Sequence, residues 1–348
     1  MNHLAALFKL DLKQFNLKRG IAVVVVLFLP LIVLSLINEQ KYWLSVAFAA
    51  LFVALSDPGG DYVTRLKRML GVGLIGALLT GLGFAIGGGP WGWVVLAAFV
   101  VTLLGGLVLR FGLHRFVGGA LLNAWFLIVL AVPAGLHQTS SSSGWWGQAL
   151  AWLIGSALWI GFTTVVWLAR SRTVQAPALP EIPEGMESVE LTRPIVLFTV
   201  LRAFAVGAAV AIAFGLHLPN AAWMPLAAFA AMKTSLDQTT QASEQRVVGT
   251  VIGAAVAIVF LLGVDNKHAL ELAIIVLGGF AASFRSVNYA LYCAGIAGAM
   301  LIALDLPHPT NLAAEFERVL FTLAGVGIAI IVMLLASLLS KRNAAQTT

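Results

Sequence analysis

The residues of chemical interest in this sequence are charges set inside apolar runs. Arg202 lies eight residues past Pro194, about 12 Å along a helix that rises 1.5 Å per residue. Lys233 lies ten residues past Trp223, about 15 Å along by the same rise. A cation at the centre of a membrane helix costs about 2.5–3.5 kcal/mol, so it faces a partner or water, or snorkels to the interface. Two such cations without an equal number of obvious intramembrane acids suit an anionic ligand. Asp57 and Asp237, each just past a short apolar run, are candidates to carry a coupling proton or to pair with Arg68 and Arg246. As acids at helix ends they are equally suited to capping. Trp43 and Trp223 stand at the starts of the same two runs, where they would flank a mouth.

Covalent and metal chemistry has no comparable constellation. The six histidines are scattered without ligand spacing, Cys293 is the single cysteine, and no GxxxxGK[ST] loop is present. A disulfide framework, a cysteine zinc site and ATP hydrolysis by that loop are thereby excluded. No catalytic residue, metal or cofactor is expected, and the chain is not read as an enzyme.

Composition says what must position these charges. Of the 348 residues 60% are hydrophobic and 10% charged, with mean hydropathy +0.96 and pI near 9.7. Soluble domains carry roughly 25% charged residues, so a soluble enzyme, a disordered chain and a nucleic-acid binder are ruled out. An all-α polytopic membrane protein is expected. Twelve apolar stretches begin near Gly20, Tyr42, Arg68, Gly92, Phe116, Trp146, Pro194, Ala221, Arg246, Ala269, Val287 and Phe316. With the N- and C-termini inside, seventeen Lys and Arg fall on the cytoplasmic side and three, Lys41, Lys267 and Arg318, outside. That asymmetry follows the positive-inside rule and explains the basic pI. Trp43, Trp91, Trp93, Trp145, Trp146 and Trp223 gather near the outer helix ends, as an aromatic belt would.

The expected organisation is a cytoplasmic amphipathic arm (1–19), a six-helix repeat (20–171), a Pro/Glu-rich cytoplasmic linker (172–193), a second six-helix repeat (194–340) and a short tail (341–348). The arm has Leu4, Leu7, Phe8, Leu10, Leu12 and Phe15 among lysines, and reads as an interfacial helix. The apolar run after it, Gly20–Ile37, lacks a small-residue cleavage site and reads as retained. Each half runs Trp, Asp, then Arg-x-x-Gly: Trp43, Asp57, Arg68, Gly71 against Trp223, Asp237, Arg246, Gly249, with Trp to Asp 14 residues in both. An even number of spans per half makes the repeat parallel. In each half the second span, Tyr42–Ser56 and Ala221–Ser235, is short and runs into polar sequence. Interrupted spans at matching positions of two halves point to a binding site; a thinner local bilayer over ordinary spans explains the same lengths.

Other features lean structural. Trp145, Trp152 and Trp159 recur every seven residues, followed by Trp167, and suit a lipid-facing stripe or a packing seam. Asn123 and Asn288 suit interhelical hydrogen bonds or a pathway lining. Glu317 and Arg318 suit a local or interhelical pair. Gly71, Gly76, Gly249, Gly253, Gly295 and Gly298 suit close helix contacts.

At the repeated Trp–Asp–Arg-x-x-Gly pattern the sequence resembles the FUSC family, the fusaric acid resistance and aromatic acid exporter proteins. The resemblance is carried by Arg202-Ala-Phe-Ala, Asn220-Ala-Ala-Trp223 and Gln245-Arg246-Val-Val-Gly249-Thr250-Val-Ile-Gly253-Ala254. Tyr42-Trp43 through Arg68-Met-Leu-Gly71 is a looser counterpart. It implies a bacterial inner-membrane exporter of small, often aromatic, carboxylic acids driven by the proton gradient. Arg202 and Lys233 would then bind the carboxylate, with Asp57 or Asp237 as the proton carrier. Some relatives work with a periplasmic adaptor protein and distant plant relatives are malate channels. Longer members carry a large cytoplasmic domain between the halves, where this chain has 22 residues. A passive anion channel and a structural assembly subunit are the rival readings. A homodimer is compatible with the Trp and Gly faces, and the expected partners are the bilayer and an organic anion.

Overall fold

A computed structural model describes residues 10–57, 61–136, 144–169, 192–218, 223–232, 236–305 and 312–346. Among them the chain forms twelve α-helices and three short 3-10 turns. In order, these are α1 (Leu17–Leu36), α2 (Trp43–Ser56), α3 (Tyr62–Ile86), α4 (Trp91–Leu107), α5 (Leu113–Leu136) and α6 (Trp145–Ala169). Then come α7 (Arg193–Gly215), α8 (Trp223–Ala231), α9 (Leu236–Gly263), α10 (Lys267–Phe284), α11 (Tyr289–Asp305) and α12 (Leu312–Gln346). Among the described residues, eight helices are long and apolar enough to cross a bilayer. Gln40–Ser56, Arg115–Ala131 and Tyr289–Ile302 are shorter apolar helices, and Trp223–Ala231 has only nine residues. The protein is thus a polytopic α-helical membrane protein, as its composition requires. Its exposed residues include long rows of Leu, Ile, Val and Phe, which is the surface a lipid solvent selects.

Local chemistry sets the helix ends. Asp61 caps α3 through the Thr64 N–H, which donates to its carboxylate at 3.0 Å. This cap starts α3 six residues before Arg68, the start expected from the apolar run. Likewise α9 begins at Leu236, so Asp237–Gln241, expected as a loop, forms its first turns. The ends of α1 and α7 are built alike. Asn38 (φ 56°) and His217 (φ 51°) take the left-handed conformation. Glu39 and Leu218 then donate back to the carbonyls of Leu34 (2.8 Å) and Ala213 (3.1 Å), closing a Schellman motif in each case. Gly112 (φ 102°) turns the chain out of the 3-10 segment Val108–Phe111.

The chain divides into two units, residues 29–207 and residues 1–28 with 208–348. In the first, α2 packs on α6, α3 on α5 and α6, and α4 on α5. In the second, α8 packs on α12, α9 on α11 and α12, and α10 on α11. The division falls inside α1 and α7 rather than in the linker. Gly20 at the start of α1 lies against Gly279 and Ser283 of α10, and Leu27 against Gly278. In the other unit, Gly106 of α4 lies against Thr199 of α7, and Phe99 packs edge-on to Phe204 at 5.1 Å. The expected halves 20–171 and 194–340 therefore differ from the packing units in their first helices, because small residues on α10 and α4 accept them. The linker 172–193 falls outside the described residues up to Leu191. In the described part of the arm Leu12–Gln14 form a 3-10 turn and Leu17 opens α1.

Small residues bring the helices together. A Cβ on Gly155 (α6) would collide with the Val46 carbonyl oxygen of α2, and one on Gly325 (α12) with the Met224 carbonyl oxygen of α8. Gly249 and Gly253 of α9 sit against Ala290, Cys293, Ala294 and Ala297 of α11. Gly155→Val and Gly325→Val are each expected to lower the detergent melting temperature, at about 1–3 kcal/mol of overpacking. Gly161→Ala and Gly327→Ala, where a Cβ meets nothing within 4 Å, should melt like the parent; equal melting of all four would refute the close approach.

Candidate functional site

In the unit formed by residues 29–207, the short helix α2 ends at an ion pair. The Asp57 carboxylate accepts from Arg65 Nε at 2.8 Å and Nη2 at 2.5 Å. Both side chains are buried, with 10% and 12% of their surface exposed. Asp57 follows the last residue of α2 and Arg65 lies in the first turn of α3, so the pair closes the α2–α3 corner. Pairing with Arg68 was one of the alternatives open to Asp57, beside proton coupling and capping; its carboxylate pairs with Arg65, and Arg68 is half-buried two turns into the helix. The signal that was present is Asp61: read as an N-cap with Thr64 three residues on, it starts the helix at Tyr62 and brings Arg65 inside. Next to this corner Tyr62 stacks on Trp167 at 4.2 Å and its hydroxyl meets Thr164 Oγ1 at 2.5 Å.

Deeper in the same unit lies an aromatic group of Phe48, Phe52, Trp125 and Trp152. Trp125 stacks with Phe48 at 5.2 Å and lies 5.0 Å from Trp152. Trp125 Nε1 donates to Thr80 Oγ1 at 2.8 Å, and Trp152 lies flat on Gly76. The seven-residue Trp stripe is therefore in part a packing seam: Trp152 is buried, while Trp145 is exposed. Ser45 donates to Gln148 Oε1 at 2.6 Å and Gln148 Nε2 to the Lys41 carbonyl at 3.2 Å, tying the start of α2 to α6. Asn123 bridges helices by accepting from Thr102 at 3.3 Å, whereas Asn288 caps α11 through the Leu291 N–H at 3.1 Å.

Arg202 sits in this unit too, on the first half of α7. It is 8% exposed, with its guanidinium carbon 5.9 Å from the Phe198 ring centroid, near the range of a cation–π contact. Trp43 is half-buried at the first position of α2.

In the other unit Trp223 is the half-buried first residue of α8. Lys233 lies outside the described residues, as does the Asp237 side chain. Arg246 lies on α9 within electrostatic reach of Tyr289, Tyr292 and Cys293 of α11. Glu271, a buried acid on α10 not singled out in the sequence, meets His268 Nδ1 at 3.0 Å and Lys267 Nζ at 3.8 Å. Its burial was legible only from the register of α10, which a Glu near the helix start among apolar residues does not fix. Glu317 is half-buried, and the Arg318 side chain falls outside the described residues.

What these elements define is a multi-pass α-helical membrane protein with buried arginines on apolar helices. Residues 198–332 match the family model described as fusaric acid resistance protein-like, the family that the second half of the sequence resembles. That segment runs from beside Arg202 through Trp223 and Arg246 to the middle of α12. No curated protein and no solved structure matches the chain.

The ion pair gives a test. Breaking a buried pair from one side leaves the other charge unmatched, at about 3–5 kcal/mol. Asp57→Asn and Arg65→Gln are each expected to lower thermal stability strongly, and Asp57→Leu/Arg65→Met to recover most of it. Additive losses in the double variant, read by melting in detergent, would show that the two groups do not depend on each other.

Proposed function

We propose that the protein is a secondary transporter that exports small organic anions, aromatic carboxylates among them, across a bacterial inner membrane under the proton gradient. The observation that carries this reading is Arg202: a buried arginine on an apolar helix, at the edge of the segment that matches the fusaric acid resistance-like family. A guanidinium offers paired N–H donors to a carboxylate, and the neighbouring Phe198 ring offers an apolar face to an aromatic acid. Lys233 would add a second cation, and Trp43 and Trp223 would flank the outer mouth.

The reading includes twelve crossings with both termini inside and two parallel repeats. It is supported by the like packing order of the two units, by the matched Schellman ends of α1 and α7, and by Gly155 and Gly325 meeting α2 and α8 in the same way. The lengths of α2 and α8, 14 and 9 residues, support a binding site at these two matching positions. At 1.5 Å per residue they reach about 21 and 14 Å, against a hydrocarbon core of about 30 Å. Backbone left at such depth must be covered by protein or line a cavity.

Proton coupling falls to Asp237 in preference to Asp57, whose two oxygens are engaged by Arg65. Arg68 and Arg246 stand at the inner ends of α3 and α9 as pathway residues. A periplasmic adaptor and a homodimer belong to the proposal as partners.

The deciding measurement is flux of labelled hydroxybenzoate in proteoliposomes with and without an imposed pH gradient. Uphill movement that collapses with the gradient is expected; gradient-indifferent flux would make the protein a channel, and no flux a non-transporting assembly subunit. Arg202→Gln should reduce export about tenfold or more, the size of a lost charge-assisted hydrogen bond, while Arg202→Lys retains part. Asp237→Asn should abolish accumulation and leave downhill exchange. Unchanged export by a normally inserted Arg202→Gln protein would overturn the carboxylate role.

A further inference from the structure

The aromatic group of α2, α5 and α6 holds one polar atom that the packing leaves over. Trp125 and Trp152 are both fully buried, with rings 5.0 Å apart. Trp125 Nε1 donates to Thr80 Oγ1 at 2.8 Å, and that hydroxyl donates in turn to the Gly76 carbonyl at 2.6 Å. Trp152 Nε1 is buried and makes no hydrogen bond among the described residues. It faces the same turn of α3, since a Cβ on Gly76 would fall on the Nε1 edge of the Trp152 ring. A buried donor without an acceptor costs stability, and a phenylalanine would supply a ring here without that cost.

The surroundings say what kind of acceptor fits. Phe52 packs edge-on to Trp125 at 6.5 Å and to Trp152 at 6.2 Å. Phe48 lies nearly flat on Trp125, at 5.2 Å and 23°. Apolar walls with a few placed polar groups are the general lining of small-molecule sites. Four rings and a single N–H suit a planar ring that carries one neutral oxygen, whereas an ionised group would leave its charge unpaired here. Phe48 and Phe52 stand four residues apart on one face of α2, the short helix at a position already read as lining a site. Phe52, Trp125 and Trp152 are buried, while Phe48 is half-buried. Phe48 is therefore the ring through which the group is reached.

We propose that this group is a subsite for the aromatic ring of a phenolic acid. The ring takes the place of Phe48 on the face of Trp125, its hydroxyl oxygen accepts from Trp152 Nε1, and its carboxylate stays outside on the Phe48 side. The ligand class rests on the transport reading given above; the subsite itself rests on the buried indole N–H and the rings around it, and needs binding alone.

The test is equilibrium dialysis of labelled 4-hydroxybenzoate, benzoate and 4-hydroxycyclohexanecarboxylate against the full chain in neutral detergent. The parent is expected to bind 4-hydroxybenzoate about fivefold more tightly than benzoate, the size of one neutral hydrogen bond, and the cyclohexane acid most weakly. In Trp152→Phe, which keeps a ring and loses the N–H, 4-hydroxybenzoate should fall to the level of benzoate while benzoate is unchanged. A folding lesion would weaken both acids alike, and melting in detergent reads folding separately. Phe52→Leu keeps the N–H and should weaken both aromatic acids while preserving the preference between them. No binding by the parent, no preference between the aromatic acids, a preference that survives Trp152→Phe, or one that is lost in Phe52→Leu would each overturn the assignment. Flux in proteoliposomes separates this inference from the transport reading. Flux without the hydroxyl preference removes the subsite alone; binding with the preference but no flux removes transport alone.

Discussion

Everything in this fold depends on how closely helices approach when the solvent outside them is as apolar as their side chains. In hydrocarbon, burying a leucine against another helix gains little over leaving it in lipid, so association relies on van der Waals contact and hydrogen bonds. The close contacts here are made by small residues. Gly155 and Gly325 touch the carbonyls of α2 and α8, Gly249 and Gly253 touch the start of α11, and Gly20 meets Gly279. Large residues then fill the gaps these contacts leave, as Trp152 does over Gly76. The glycine content of the chain, 34 residues, is in this sense the binding material of the fold.

Polar groups follow the same constraint. Many buried side chains are tied to a near neighbour: Asp57 to Arg65, Thr80 to Trp125, Ser45 to Gln148, Glu271 to His268 and Lys267. Several join consecutive or adjoining helices at their ends, where water is closest. Arg202 sits along the side of α7, with its guanidinium carbon 5.9 Å from the Phe198 ring centroid.

Much of the helix inventory was legible in the sequence, because an apolar run bounded by Trp, Pro, Gly or charge has one favourable state in a bilayer. The starts of α1, α4, α6, α7 and α10 fall within three residues of those read from such boundaries. The starts of α3 and α9 were misplaced for one reason: their first turns are polar, and apolar counting begins too late. The same error hid Arg65, which lay in sequence taken for a cytoplasmic loop. The exchange of α1 and α7 between the units was not legible. Gly20, Gly279 and Gly106 mark surfaces fit for close contact, but nothing in their spacing says which surface meets which. The FUSC-like residues of the second half were legible as a short motif, and the match to residues 198–332 extends over most of that half.

The placement of α1 also sets an order for how the protein comes into being. Its glycine face is completed by α10, which begins at Lys267, some 240 residues after Leu27 leaves the ribosome. At about 5–20 residues per second, α1 waits roughly 12–50 s in the bilayer before that surface exists. Gly106, in contrast, is already inserted when Thr199 arrives. The glycine face of α1 is thus fastened late, and assembly of the unit that holds it cannot finish until α10 has been translated.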